Sequence, residues 1–249
     1  MLKTLDNALD LLKHFTREKP QWGVRELAKE MNISHTVVYR MLATFERYGF
    51  VKQEPKTKKY ELGFSFLEYA STVKDNLDIT ELIYPVMKRV AEATNESVFL
   101  TWLDGLEGIC LEIAESRQQV KYAMSIGSRT LLYAGASNKV IMAYLPASTQ
   151  SAIIEKGLRP RTEHTIHDKE KLLQDLARIR EDGWAYSVGE YTDTVFGIAV
   201  PLFSGDRQVV ASLTIAGPDY RMPEQKVPEA LRELRTAQQE VQAILQRIF

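Results

Sequence analysis

Residues 24 to 62 constrain this chain more than any other stretch, because two short amphipathic faces, turn residues and a strand pair follow one another there in a fixed order. In VRELAKEM the apolar Val24, Leu27, Ala28 and Met31 recur at i, i+3, i+4 and i+7, one face of a 3.6-residue helical period. Asn32 suits the left-handed residue that closes a helix, and Ser34 offers a hydroxyl to the first N–H groups of the next. A second helix over residues 34–48 then buries Val37, Val38, Met41, Leu42 and Phe45. His35, Thr36, Tyr39, Arg40, Ala43, Thr44 and Arg47 are left to face outward. Gly49 ends that helix, Phe50 and Val51 begin a strand, residues 55–59 turn, and Tyr60, Glu61 and Leu62 return. Two helices across a turn of three or four residues make a helix-turn-helix, and the hairpin behind them makes a wing.

That order predicts a duplex-DNA partner. The major groove of B-DNA admits one α-helix, which enters by its N-terminal end while the preceding helix crosses the backbone. The side chains placed to reach DNA are Arg25, Ser34, His35, Thr36, Tyr39 and Arg40, with Lys56, Lys58 and Lys59 at the wing tip for phosphates. Two bland readings stand beside this one. Arg40 could pair with Glu26 and fix the angle between the helices, and the wing lysines could form a solvated loop.

Charge supports the DNA reading once it is divided. The net charge of the 249 residues is −1, but residues 1–60 hold 12 Lys+Arg against 7 Asp+Glu, a balance of +5. The remainder holds 20 against 26, a balance of −6. The single Cys110 allows no internal disulfide and fits a reducing cytoplasm. No apolar run approaches the roughly 18 residues of a membrane span. The N-terminal MLKTLDNALDLLKHF reads as an amphipathic helix packed under the recognition helix rather than a signal peptide.

Three regions are expected: a DNA-binding domain over 1–62, a linker helix within 63–77, and an effector domain over 78–249. Phe64, Leu67 and Tyr69 give the linker more apolar surface than a free helix would expose, so it is expected to pack on a second copy or on the effector domain. A helix over 79–93 carries Pro85 in its early turns. Beyond Glu96 the period changes to short β-type runs at 97–103, 108–114 and 120–126, then helices at 136–145, 148–155 and 168–181. Strands return at 184–188, 196–203 and 209–216, and a last helix covers 224–248. The fold class is α+β, a winged helix joined to an antiparallel sheet with helices on its faces.

Four stretches then show a resemblance: RMLATFERYGFV with KKYELG; ESVFLTWLDGLEGICLEIAES; SIGSRTLLYAGASNKVIMAYLP; and GWAYSVGEYTDTVFGIAVPLF with SLTIAGP behind it. Their order and spacing resemble IclR-type bacterial transcription regulators over essentially the whole length. The resemblance implies a GAF-like effector domain, a homodimer or dimer of dimers on operator DNA, and no cofactor or metal. It also implies an effector pocket through Ala136 and Ser137, Ser187 where the family often has an acid, Glu190, Gly197 where a cysteine is frequent, and Thr214 and Ala216 where it has Ser-x-Ser. Asn138 replaces the usual glycine before Lys139.

Ser for a carboxylate and Gly for a thiol would both enlarge a pocket, so a ligand larger than a two- or three-carbon acid is expected, a carboxylate or an aromatic. Met124, Leu132, Trp184, Phe196 and Ile198, with Tyr122, Tyr133 and Tyr186 nearby, are placed to line it, although such residues on strands are more often core. Arg129 and Lys139 could attract an anion, and Lys139 could equally cap its own loop. His164 and His167 have a metal-compatible spacing, yet Asp168 as a helix N-cap explains the segment without metal. No acid, base and nucleophile assemble. The competing reading is a small-molecule enzyme or metabolite-binding module whose winged helix makes protein contacts.

Overall fold

The computed structural model describes residues 2–75 and 78–248. The chain divides into two compact units, Met1–Leu77 and Asp78–Phe249.

The first unit runs α1 (Lys3–Lys13), α2 (Val24–Glu30), α3 (His35–Arg47), β1 (Val51–Gln53), β2 (Tyr60–Leu62) and α4 (Ser65–Asp75). Its core gathers Leu11 and Phe15 from the end of α1 with Leu27, Val38, Leu42, Val51 and Tyr60, so α1 does pack under α3. The turn between α2 and α3 closes as the sequence requires. Asn32 takes φ 53°, its N–H donates to the Lys29 carbonyl, and the Ile33 N–H donates to the Ala28 carbonyl at 3.0 Å. These paired bonds satisfy the last carbonyls of α2 and aim the chain into α3. Ser34 caps α3 by accepting from the Val37 N–H at 3.4 Å. Gly49 follows α3 at φ 74°, and the backbone there runs so close to Gly63 that a Cβ on Gly63 would lie 2.0 Å from the Gly49 carbonyl oxygen.

The linker helix belongs to this first unit. Phe66 and Tyr69 of α4 lie against Phe50, with ring centroids 5.2 and 5.5 Å away. Phe64 and Leu67 remain 73% and 65% exposed. The break expected at 75–78 falls partly on Asn76 and Leu77, which lie outside the described residues.

The second unit comprises α5 (Asp78–Thr94), β3 (Ser97–Asp104), β4 (Glu107–Ala114), β5 (Arg129–Leu131), α6 (Ala136–Tyr144), α7 (Ala147–Glu155), α8 (Lys169–Asp182), β6 (Ala185–Val188), β7 (Val195–Phe203), β8 (Val209–Pro218) and α9 (Val227–Ile248). The strands form one antiparallel sheet in the order β5-β4-β3-β8-β7-β6. Helices α5 and α9 pack together and on the sheet, while α6 packs across β6, β7 and β8 and carries α8 on its outer side. Pro85 is the eighth residue of α5, and the helix continues through it.

One expected strand is not there. Residues 120–126 form no ladder; the strand beside β4 is β5, whose three residues pair only with Glu107, Gly108 and Ile109 and which periodicity did not reveal. The segment is instead tied down near its ends. Ser116 donates to the Asn95 carbonyl, the Arg221 guanidinium donates to the Val120 carbonyl at 2.8 Å, and the Gly127 N–H donates to the Cys110 carbonyl at 2.7 Å. Arg221 is itself clamped on the buried Glu96 by two bonds of 2.5 and 2.7 Å.

Candidate nucleic-acid interface and ligand cavity

On the first unit, the periodicity of α3 determines which side chains are free. Val37, Val38, Met41 and Leu42 pack inward, so His35, Thr36, Tyr39 and Arg40 are exposed beside the Ser34 cap. Val37 is half-buried against the core and faces the protein. Thr44 has spent its hydroxyl on the Arg40 carbonyl at 2.8 Å. Arg25 on α2 is exposed, and among the described residues neither it nor Arg40 makes an ion pair.

The wing separates its three lysines. Val51 pairs with Leu62 and Gln53 with Tyr60. At the tip Lys58 adopts φ 58°, with the Gln53 amide donating to its carbonyl at 2.9 Å. Lys56 and Lys58 are exposed and carry no carboxylate partner among the described residues. Lys59 is half-buried and pairs with Glu26 at 3.1 Å. Glu26 also accepts from the Gly23 N–H at 3.0 Å, and that backbone bond, followed by Lys59, holds its carboxyl below the usual range. The structural pairing weighed for Arg40 is therefore made by Lys59, which ties the wing to α2 instead of reaching outward.

On the second unit, strand alternation builds a cavity against the first turn of α6. The sheet register brings Phe99 opposite Thr214, and Ala216 opposite Gly197, which faces Ser187 in turn. These residues point to the α6 side. They line the cavity with Thr101, Tyr122, Met124, Gly135, Ala136, Ser137, Asn138, Tyr191, Thr192, Val195 and Phe196. The enclosed volume is about 50 Å³.

Some polar groups of the cavity are engaged within the protein and others are not. Ser187 Oγ accepts from the Ala136 N–H at 2.8 Å. Asn138 accepts from Thr130 at 2.9 Å and donates to the Ala134 carbonyl at 3.1 Å. Thr214 Oγ1 is buried and has no partner among the described residues. The N–H groups of Ser137 and Asn138, in the first turn of α6, likewise meet no protein acceptor among the described residues. No charged side chain lines the space. Burial raises the Tyr122 and Tyr191 phenols above their ordinary value, and it pushes the Cys110 thiol, packed near Tyr122, up to about 12.

Eight of the twelve effector residues expected from sequence, Met124, Ala136, Ser137, Ser187, Phe196, Gly197, Thr214 and Ala216, meet here. Four do not line the cavity. Ile198 alternates to the opposite face of the sheet, paired with Tyr186 and Ile215. Leu132 is buried in the separate core around α6 to α8. Trp184 precedes β6 outside the cavity. Glu190 acts one layer behind, accepting from the Gly135 N–H at 3.2 Å and from Lys139 Nζ at 2.6 Å.

Lys139 is 1% exposed and also donates to Asp175 at 2.6 Å, so it braces α6 and is no counter-ion for a ligand. Arg129 is engaged by Asp104 and, at 3.1 Å, by Glu107 on the sheet edge. The enlargement expected from Ser187 and Gly197 is absent as well. Ala136 occupies that room, since a Cβ on Gly197 would lie 3.2 Å from the Ala136 Cβ. Phe99, Thr101, Tyr191 and Thr192 were missed. For the first two, the period-2 face shared with Thr214 was the available signal.

His164 packs on Gly189, His167 meets the Thr165 carbonyl, and Asp168 caps α8 by accepting from the Lys171 N–H at 2.9 Å. Among the described residues no His, Cys, Asp or Glu group has metal-binding geometry.

Two family models match the chain: the IclR helix-turn-helix domain over residues 4–55 and the bacterial transcriptional regulator IclR C-terminal domain over residues 71–243. This chain belongs to the IclR family. It is similar to the HTH-type transcriptional regulator KipR of Bacillus subtilis, with 34% identity over 236 residues, 94% of each chain. An IclR transcriptional regulator from Alicyclobacillus acidocaldarius shares the fold at TM-score 0.85 and 25% identity, covering 98% of both chains. An IclR homolog from Microbacterium hydrocarbonoxydans, solved in complex with 4-hydroxybenzoate, shares it at TM-score 0.83 and 21% identity, covering 97% and 98%. This IclR-family chain is thus a helix-turn-helix transcriptional regulator with an effector domain, and not an enzyme. No described helix is long and apolar enough to cross a membrane.

Proposed function

We propose that this IclR-family regulator binds operator DNA as a homodimer, or a pair of dimers, and that a small organic carboxylate in the α6 cavity changes its DNA affinity. In each protomer the N-terminal half of α3 supplies Ser34, His35, Thr36, Tyr39 and Arg40 to base edges and nearby phosphates, with Arg25, Lys56 and Lys58 on flanking phosphates. A two-fold dimer then reads half-sites about 34 to 36 Å apart, or a multiple of that. The exposed Phe64, just before α4, and Leu67 within it are apolar surface that a second copy would cover.

The observation that carries the ligand reading is the buried Thr214 Oγ1, left without a partner beside two free N–H groups at a helix N-terminus. An unmet buried hydroxyl costs about 1 to 3 kcal/mol, and a ligand oxygen would relieve it. The first turn of α6 favours a carboxylate through its N–H groups and its dipole, with no lysine or arginine required. The aromatic and thioether walls, Phe99, Tyr122, Met124 and Phe196, suit an apolar body. Tyr122 and Met124 sit on the unladdered segment 120–126, so they are the wall that can move to admit a ligand wider than the present space. The 4-hydroxybenzoate held by the Microbacterium homolog is a ligand of this chemical kind.

A thermal-shift screen of carboxylates and aromatic acids tests the ligand half of the proposal, because a compound that binds only the folded state raises its stability by RT ln(1 + [L]/Kd). Gel shifts with DNA upstream of the coding region, run over a salt series, test the other half. Affinity that falls steeply with salt is expected; no shift with any genomic fragment would end the reading.

A further inference from the structure

The second unit carries another concavity, apart from the α6 cavity and far larger, about 790 Å³. It lies where the turn between β3 and β4, the end of β5 and the connection after α7 come together. Its floor is apolar, with Leu106, Leu131, Leu132, Tyr133 and Ile153. Its rim carries Lys156, Arg159 and Arg161. Among the described residues none of these three cations has a carboxylate partner. The one acid on the wall, Glu107, is already engaged by Arg129 at 3.1 Å.

This concentration of positive charge runs against its surroundings, since residues 61–249 carry a balance of −6. The cations also stand on fixed backbone. The Tyr133 hydroxyl donates to the Arg159 carbonyl at 3.1 Å and accepts from the Arg159 N–H at 3.0 Å, while the Arg161 N–H donates to Thr165 at 3.0 Å. Arg161 lies 4.4 Å over the ring of Tyr191, and Tyr191 in turn lines the α6 cavity, so the two spaces are separated by a shared wall.

An apolar floor rimmed by unpaired cations is complementary to a molecule with an apolar body and an anionic end, and the volume falls within the roughly 300 to 1,000 Å³ of small-molecule sites. We propose that this outer groove is a second ligand site of the protein, for an anionic amphiphile: a carboxylate on an aromatic or alkyl body. The body lies on Leu106, Leu131 and Ile153, and the carboxylate among Lys156, Arg159 and Arg161. This assignment goes beyond the effector reading, which concerns the inner cavity.

The test is isothermal titration calorimetry of the full chain with 2-naphthoate and with the neutral 2-naphthamide. The wild-type protein should bind 2-naphthoate, and the amide should bind at least about tenfold more weakly. The Lys156→Glu/Arg159→Glu variant, altered at exposed positions and checked for an unchanged unfolding midpoint, should lose naphthoate affinity by at least about tenfold. Thr214→Val locates any binding in the inner cavity, so if two naphthoate sites are seen, the charge reversal should remove one and Thr214→Val the other. Equal affinity for acid and amide, naphthoate binding to Thr214→Val that survives addition of the charge reversal, or no binding at millimolar naphthoate would each overturn the assignment.

Discussion

The recognition surface and the inner cavity of this IclR-family regulator treat polar groups in opposite ways. On α3 and the wing, the side chains proposed to meet DNA come from one continuous segment, stand in water, and mostly lack internal partners; Tyr39 is 52% exposed and Arg40, Lys56 and Lys58 are free of ion pairs among the described residues. In the cavity the polar side chains on β3, α6, β6 and β8 come from distant parts of the sequence, and Ser187 and Asn138 are buried and bonded inside the protein. Water can satisfy an exposed group until a polyanion replaces it, whereas a buried group must find its partner inside the protein. An unmet group therefore says little on the surface and a great deal in the cavity, which is why Thr214 is more informative than any exposed lysine.

Substitutions should divide along the same line. The largest effect is expected from Lys139→Met, which leaves Asp175 and Glu190 without their shared cation and should cost about 3 to 5 kcal/mol in urea unfolding of the second unit. Arg40→Ala, on the exposed face, should stay within about 0.5 kcal/mol of wild type. Similar losses for the two would erase the contrast between the regions. Replacing Lys56 and Lys58 together by alanine should reduce the slope of log DNA affinity against log salt by about 2, read by fluorescence anisotropy. Lys59→Ala should leave that slope unchanged, because Lys59 is spent on Glu26.

The cavity offers a smaller but sharper test. Thr214→Val keeps the shape and removes a buried hydroxyl that has no partner, so the ligand-free protein should become more stable by about 1 kcal/mol while ligand affinity falls. A destabilised variant would mean that Thr214 Oγ1 is satisfied in solution. A last test concerns Cys110. Its buried thiol keeps its proton to about 12, whereas an exposed thiol loses it near 9.0, so its contribution to stability is present below about pH 9 and is lost as pH rises toward 12. Urea unfolding of wild type and Cys110→Ala at about pH 8 and about pH 10 should show a steeper loss for wild type, and parallel curves would contradict the burial.

Most of the first unit was legible because its boundaries are set locally. Ser34 caps α3 and Asn32 and Gly49 take left-handed conformations, each read from a single residue type. Partners across the fold were less legible: either Arg40 or Lys59 could have met Glu26, and only the path of the wing decides it. In the second unit the alternation Val120, Tyr122, Met124, Ile126 looked like a strand, but alternation alone names no ladder partner, and the strand that pairs with Glu107–Ile109 of β4 is β5. Two of those side chains line the cavity while Val120 and Ile126 are exposed. The size of the cavity was misjudged for a similar reason. Loss of bulk at Ser187 and Gly197 is visible in sequence, whereas the position of Ala136, 3.2 Å from where a Gly197 Cβ would stand, is not.

The central claim is that a ligand held at Thr214 and the first turn of α6 alters how the winged helix binds DNA. It is tested most directly by fluorescence anisotropy of a labelled upstream fragment titrated with the full chain, with and without a saturating carboxylate taken from the thermal-shift screen. A coupling of about 1 to 3 kcal/mol predicts a 5- to 150-fold change in DNA affinity for the wild type, reduced in Thr214→Val at the same ligand concentration. DNA affinity that is the same with and without the bound carboxylate would contradict the account.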